Sequence, residues 1–261
     1  MTALGRNGRT APDLSRPDLT RLSLSRVPMI LMYHGVADVA QDPYHLCVTP
    51  ARFAEQMASL RRLGLRGVGI STLVEAMRAG RQRGLVGITF DDGYVNVLEA
   101  ALPELKRHGF TASVYIISGR LGGTNEWDEG PAWPLLSGSQ VGELAAAGME
   151  IGSHSATHVR LAGLAAGPLE TEVSGSRASL TELTGAPVRG FAYPYGSMDA
   201  AARRAVHDAG YSYACAVQTP MSDLGLMALP RVYVGERDGA ARMTAKRFLY
   251  RGYVALKGIR P

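Results

Sequence analysis

Cysteine is nearly absent from this chain: Cys47 and Cys215 are the only two in 261 residues. Two unspaced thiols build no disulfide framework and fit a reducing compartment. No stretch is long and apolar enough to span a bilayer. Residues 1–26 carry scattered arginines but no apolar core of the kind a signal peptide needs, so a cytoplasmic location is the expectation. Lysine is scarce too. Lys106, Lys246 and Lys257 are the only three, so the net charge of +5 is almost wholly arginine. No basic run is interleaved with aromatics on the scale of a nucleic-acid groove, which argues against a nucleic-acid partner. Neither a glycine-rich dinucleotide fingerprint nor a phosphate loop is present.

What remains is 46% hydrophobic, enough for one large core. Residues 1–26 are polar, lack periodicity and read as a flexible arm. From Val27 onward, strand-like and helix-like segments alternate. PMILMY, ending at Tyr33, reads as a buried strand, and Thr49-Pro50 opens a helix with Phe53, Met57 and Leu60 on one face. Ser71 is expected to cap the next helix. Residues 85–90 form the strand that leads into Asp91, and 94–108 and 168–184 read as helices. Residues 119–138, rich in Gly, Trp and Pro, form a long loop of the kind often used for function. A basic helix is expected over 240–256. Repeated strand–helix units imply a parallel sheet. The polar residues of interest, His34, Asp91, Asp92, His154, Tyr195 and Arg231, each follow a strand. That placement favours a barrel with its site at the C-terminal mouth over an open sheet.

The chemistry concentrates in TFDDG, Thr89–Gly93. Two adjacent carboxylates at the end of an apolar strand are costly to bury unless a cation or a shared proton relieves them. HSATH, His154–His158, offers two imidazoles four residues apart, the spacing that puts both on one face of a helical turn. An Asp with two His makes a three-ligand set that leaves a metal position open, and the second Asp is free to act as a base.

TFDDG, HSATH and the later YPYG (Tyr193–Gly196), in that order, resemble the polysaccharide deacetylase family, the NodB-homology carbohydrate esterases, over about residues 27–235. The resemblance implies a distorted (β/α)7 TIM-like barrel, taken to span 27–239; the residues themselves suggest a basic helix and tail, 240–261, packed on it. It implies metal-dependent hydrolysis of a non-peptide C–N bond, deacetylating an N-acetylated amino sugar or polysaccharide. Asp92, His154 and His158 would hold one divalent metal, zinc first, with Co2+, Mn2+, Fe2+ or Ni2+ as alternatives. Asp91 would be the base. Tyr193, Pro194, Tyr195 and Gly196 would line the saccharide groove, with the Tyr195 N–H helping to bind the oxyanion.

Two departures stand out. Ala192 occupies a position where many members carry an arginine that orients the base, and no late His follows a leucine. The early Met32-Tyr33-His34-Gly35 and late Leu229-Pro230-Arg231 are instead similar to a permuted subgroup that includes biofilm poly-N-acetylglucosamine deacetylases. In that pattern His34 takes the acid role and Arg231 orients Asp91, with Arg189 the second choice. Trp127 and Trp133 in the long loop could stack on a sugar or cover the barrel end; Trp133 is taken as the substrate candidate. The alternatives are a hydrolase of a small amide or ureide, and a catalytically silent saccharide-binding protein. The basic C-terminal segment could touch an anionic membrane, but a helix closing the barrel is the preferred reading.

Overall fold

The computed structural model describes residues 27–217 and 223–257, with side chains as far as Tyr250 in the last helix. The expected arm, 1–26, and the tail beyond Lys257 lie outside the described residues. The chain opens with β1 (Ile30–Tyr33), the short pair β2 (Gly35–Val36) and β3 (Cys47–Val48), and α1 (Pro50–Arg62). Next come β4 (Arg66–Val68), α2 (Ile70–Arg78) and β5 (Leu85–Phe90), then a π-helical turn, Val97–Ala101, running into α3 (Leu102–His108). β6 (Ser113–Ile116), α4 (Gly138–Ala146) and β7 (Glu150–Ser153) follow. After them lie α5 (Ala166–Glu170), a second π-helical turn at Thr171–Gly175, and α6 (Ser176–Thr184). The last elements are β8 (Gly190–Ala192), α7 (Ala200–Asp208), β9 (Tyr213–Ala216), β10 (Leu229–Pro230), β11 (Val232–Tyr233) and α8 (Ala240–Lys257).

All the strand pairings are parallel, in the order β10-β9-β8-β7-β6-β5-β1-β11. β10 and β11 are two halves of one stave, separated only by Arg231. The first half pairs with β9 and the second with β1, so the sheet curls into a nearly closed barrel whose seam is Arg231. β4 lies outside this ring, pairing with the first half of β5. The staves are almost uninterrupted runs of buried apolar residues, as expected when helices cover the outer face of a parallel sheet.

Local chemistry explains the helix ends. The Thr49 hydroxyl accepts a hydrogen bond from Arg52 N at 3.2 Å, and Pro50 occupies the first turn of α1. Gly64, at φ 70°, lets the chain leave that helix. Phe53, Met57 and Leu60 are fully buried by α1, each stabilising by about 1.5–3 kcal/mol on the usual scale. Ser71 is not the cap of α2. The N-cap is Gly69, and the exposed N–H groups are satisfied from other strands. Ile70 N donates to the Ser113 hydroxyl and Ser71 N to Glu150 Oε2, at 2.8 and 2.9 Å.

α8 packs against α1, burying Met243 and Tyr250, and Lys246 Nζ donates to the Tyr233 carbonyl at 2.7 Å. Phe248 and Leu249 stay exposed. Among the described residues no helix is long and apolar enough to cross a membrane.

Candidate metal centre and active site

The ends of five staves meet at one mouth. His34 follows β1, Asp91 and Asp92 follow β5, His154 follows β7, Tyr193 follows β8, and Arg231 sits at the seam. All of them line a single cavity of about 480 Å³, with His158, Tyr195 and Gly196.

Asp92 has φ 69°, a left-handed conformation that aspartate tolerates better than most residues. This turn separates the two adjacent carboxylates. Asp91 is gripped by Arg231 in a two-pronged contact, Nη1 to Oδ1 at 2.6 Å and Nη2 to Oδ2 at 2.8 Å. Arg231 also donates to Thr89 Oγ1 at 3.2 Å, and its side chain is fully buried. Burial works to raise the Asp91 carboxyl. The Arg231 guanidinium, then His154, outweigh burial and hold it below its ordinary value. Arg231, from the other end of the chain, thus contacts Asp91 where Ala192 has no side chain to do so. Arg189, the second choice, is exposed and pairs with Glu75 at 3.2 Å.

Asp92 faces the imidazoles. Its Oδ1 lies 3.4 Å from His154 Nε2 and 3.3 Å from His158 Nε2. The three ligand atoms all fall within 4.8 Å of one another, and all three side chains are buried. His154 Nδ1 lies 2.8 Å from the Ala192 carbonyl. A carbonyl only accepts, so Nδ1 carries a proton and Nε2 of the neutral ring presents a lone pair toward Asp92. Asp92 Oδ1 is itself buried with no hydrogen-bond donor. Lone pairs aimed at one another in a dry pocket need a cation between them, and a two-nitrogen, one-oxygen set fits one divalent metal with an open coordination position. Burial opposes charge on these groups. At His154 the nearby Asp91 and Asp92 outweigh it and raise the pKa, whereas at His158 burial prevails and lowers it. Against burial, the adjacent His154 and His158 imidazoles, with the charge of His34, hold the carboxyl of Asp92 well below its usual range.

HSATH is not a helical turn. Residues 154–160 have no regular secondary structure, and Ser155 and His158 both have φ 66°. His158 reaches Asp92 through a left-handed turn, in which His158 N donates to Ser155 Oγ at 3.0 Å. The i, i+4 spacing is equally compatible with such a turn, so spacing alone did not separate the two.

An aromatic wall surrounds His158. Trp127 packs 4.5 Å from it and Tyr195 4.6 Å, while the Arg160 guanidinium lies 4.3 Å over the Tyr195 ring. The Tyr195 hydroxyl donates to Asp128 at 3.4 Å. Burial, then Asp128, push this phenol up to about 12, so it stays a neutral hydroxyl. Trp133 is not among the residues lining the cavity; it packs edge-on against Tyr94, 5.4 Å away. Pro194 shapes the turn that presents Tyr195, at φ 56°, but does not itself line the cavity. Trp127 and Asp128 are the loop residues that reach the site. The length and composition of 119–138 signalled the loop, and nothing in the sequence singled out Asp128.

Fold and site together define a parallel α/β barrel with a buried Asp-His-His centre at its C-terminal mouth. The family model for polysaccharide deacetylases matches residues 78–214, and the chain belongs to that family. A Bacillus subtilis (strain 168) protein, YxkH, named only as a candidate polysaccharide deacetylase, is 28% identical over 149 residues. That match covers 56% of this chain, and the chain spans about half the length of that relative. The Streptococcus pyogenes deacetylase PplD, solved in complex with acetate, superposes with a TM-score of 0.73 at 21% identity, covering 84% of this chain and 97% of that one. A polysaccharide deacetylase from Bacillus cereus gives 0.72 at 25% identity, covering 85% and 69%.

Proposed function

We propose that this protein is a metal-dependent N-deacetylase that removes acetate from an N-acetylated amino sugar within an oligomer or polysaccharide. The observation that carries the reading is the buried Asp92–His154–His158 cluster beside an Arg231-clamped Asp91 in one cavity. The bound acetate of PplD is consistent with that product.

Asp92, His154 and His158 would hold the metal. A divalent ion there, with zinc the first expectation, supplies Lewis acidity that lowers the pKa of water and polarises a carbonyl. Asp91 takes the water proton on its carboxylate, kept ionised and oriented by Arg231. His34, half-buried in the cavity lining and with no hydrogen-bond partner at its Nδ1, delivers a proton to the departing nitrogen. An amine leaves poorly unless protonated, so both an acid and a base are required. Tyr193, Tyr195 and Gly196 line the saccharide side of the cavity, and Tyr195 N–H assists at the oxyanion.

The test is acetate release from N-acetylglucosamine oligomers by the zinc-loaded protein, with small ureides assayed in parallel. Asp92→Ala is expected to lose both bound zinc and activity. Zinc held at full occupancy by that variant defeats the assignment, and turnover of ureides alone moves the substrate to the small amides.

A further inference from the structure

The two residues that bring His158 to Asp92, Ser155 and His158 itself, both sit in left-handed backbone conformations. Such conformations are strained and persist only where their surroundings over-determine them. The turn between them is held from one side chain. Glu172 Oε2 accepts from Ala156 N and from Thr157 N, both at 2.9 Å, and its Oε1 accepts from the Thr157 hydroxyl at 2.6 Å. Glu172 is buried, and among the described residues it has no ion pair. A buried carboxylate satisfied by donors of a single turn ties its own desolvation to that turn being formed.

Glu172 lies on the π-helical turn Thr171–Gly175, where one helix is widened before α6 continues it. Widened turns of this kind recur at functional sites because they re-aim a side chain. The opposite side of the turn is pinned by backbone alone. Ser118 N donates to the Ser155 carbonyl and Gly119 N to that of Ala156, at 3.2 and 2.8 Å. The approach is so close that a Cβ at Gly119 would meet the Ala156 oxygen at 2.6 Å. Among the described residues, Glu172 is therefore the one side chain from outside the turn that hydrogen-bonds to it, joining Ser155 and Thr157 within it.

We propose that Glu172 is a positioning residue for the metal centre: by clamping the Ala156–Thr157 turn it fixes where the His158 imidazole stands relative to Asp92 and His154. The proposal rests on the metal reading above. Partners that orient metal ligands typically change affinity by roughly 10–100-fold when removed.

The experiment measures zinc affinity by chelator competition and, separately, the thermal midpoint of the metal-free protein. Glu172→Ala is expected to weaken zinc binding by roughly 10–100-fold. Glu172→Gln retains an oxygen for the two backbone N–H groups and is expected to recover most of that loss, which keeps the test open if the alanine variant does not fold. Thr157→Val removes only the hydroxyl contact and is expected to fall between glutamine and wild type. Glu170→Ala, exposed on the same helix, is the unaffected control. Zinc affinities of Glu172→Ala and Glu172→Gln within twofold of wild type overturn the proposal. So does a loss of affinity seen only where the metal-free variant is already unfolded at the assay temperature. Asp92→Ala in the same titration separates the two claims: if it still binds zinc as wild type does, the metal reading itself has failed.

Discussion

Arg231 and Asp91 form a tightly constrained pair, both buried and matched prong for prong. Such a pair adds little net stability over an apolar replacement, but removing one partner strands the other charge and costs about 3–5 kcal/mol. Arg231→Met is therefore expected to lower stability by that amount in chemical denaturation, and Asp91→Asn by less, because the amide can still accept from the guanidinium. The double variant Asp91→Asn, Arg231→Met is expected to be more stable than Arg231→Met alone, since no buried charge is left unpaired. Additive losses in that cycle would show that the two side chains do not depend on each other. The cycle also bears on Ala192: the clamp on Asp91 is anchored at the seam of the barrel, so the stave carrying Ala192 has no such task.

At the scale of elements, caps and turns carry as much of the site as helices do. Asp199 caps α7 through Oδ1 to Ala202 N at 2.8 Å, and its Oδ2 accepts from Gly163 N at 2.9 Å, tying the segment after HSATH to that helix. These backbone hydrogen bonds hold the Asp199 carboxyl below its ordinary value. A carboxyl lowered in the folded state contributes stability above its unfolded pKa and loses it as pH falls through the folded one. Asp199→Ala is thus expected to cost about 1 kcal/mol near neutrality, with the gap from wild type closing as acid titrates the carboxylate. A gap that does not change with pH would remove the charge from this account. The strands and the amphipathic helices were legible because burial imprints a period on the sequence: Phe53, Met57 and Leu60 point one way whatever surrounds them. Asp91, Asp92, His154 and His158 were legible because few other chemistries call for those side chains in that order. The conformation of HSATH was not, since its left-handed turn depends on Glu172, fourteen residues beyond His158, and on the backbone of Gly119. The π-helical turns at Val97–Ala101 and Thr171–Gly175 were equally hidden, because one widened turn leaves the apolar spacing nearly intact. Trp127 and Trp133 share composition and neighbourhood, and only packing, one against His158 and the other against Tyr94, tells them apart.

For the whole molecule, the metal centre joins parts of the barrel that are distant in sequence. Asp92 follows β5, the histidines follow β7, and Asp91 beside them is locked to the seam where the last stave joins the first. An unfolded chain cannot offer this cluster as a unit, so zinc bound there would favour the folded state by mass action. At a free concentration about 100 times Kd the gain is about 2.7 kcal/mol. For a domain of this size each kcal/mol moves the thermal midpoint by about 2–4 °C, so zinc should raise it by roughly 5–11 °C. The rise should vanish in Asp92→Ala and reverse on adding a chelator to the wild type. An equal rise in Asp92→Ala would place the stabilising ion elsewhere on the surface and detach the stability of the barrel from its mouth.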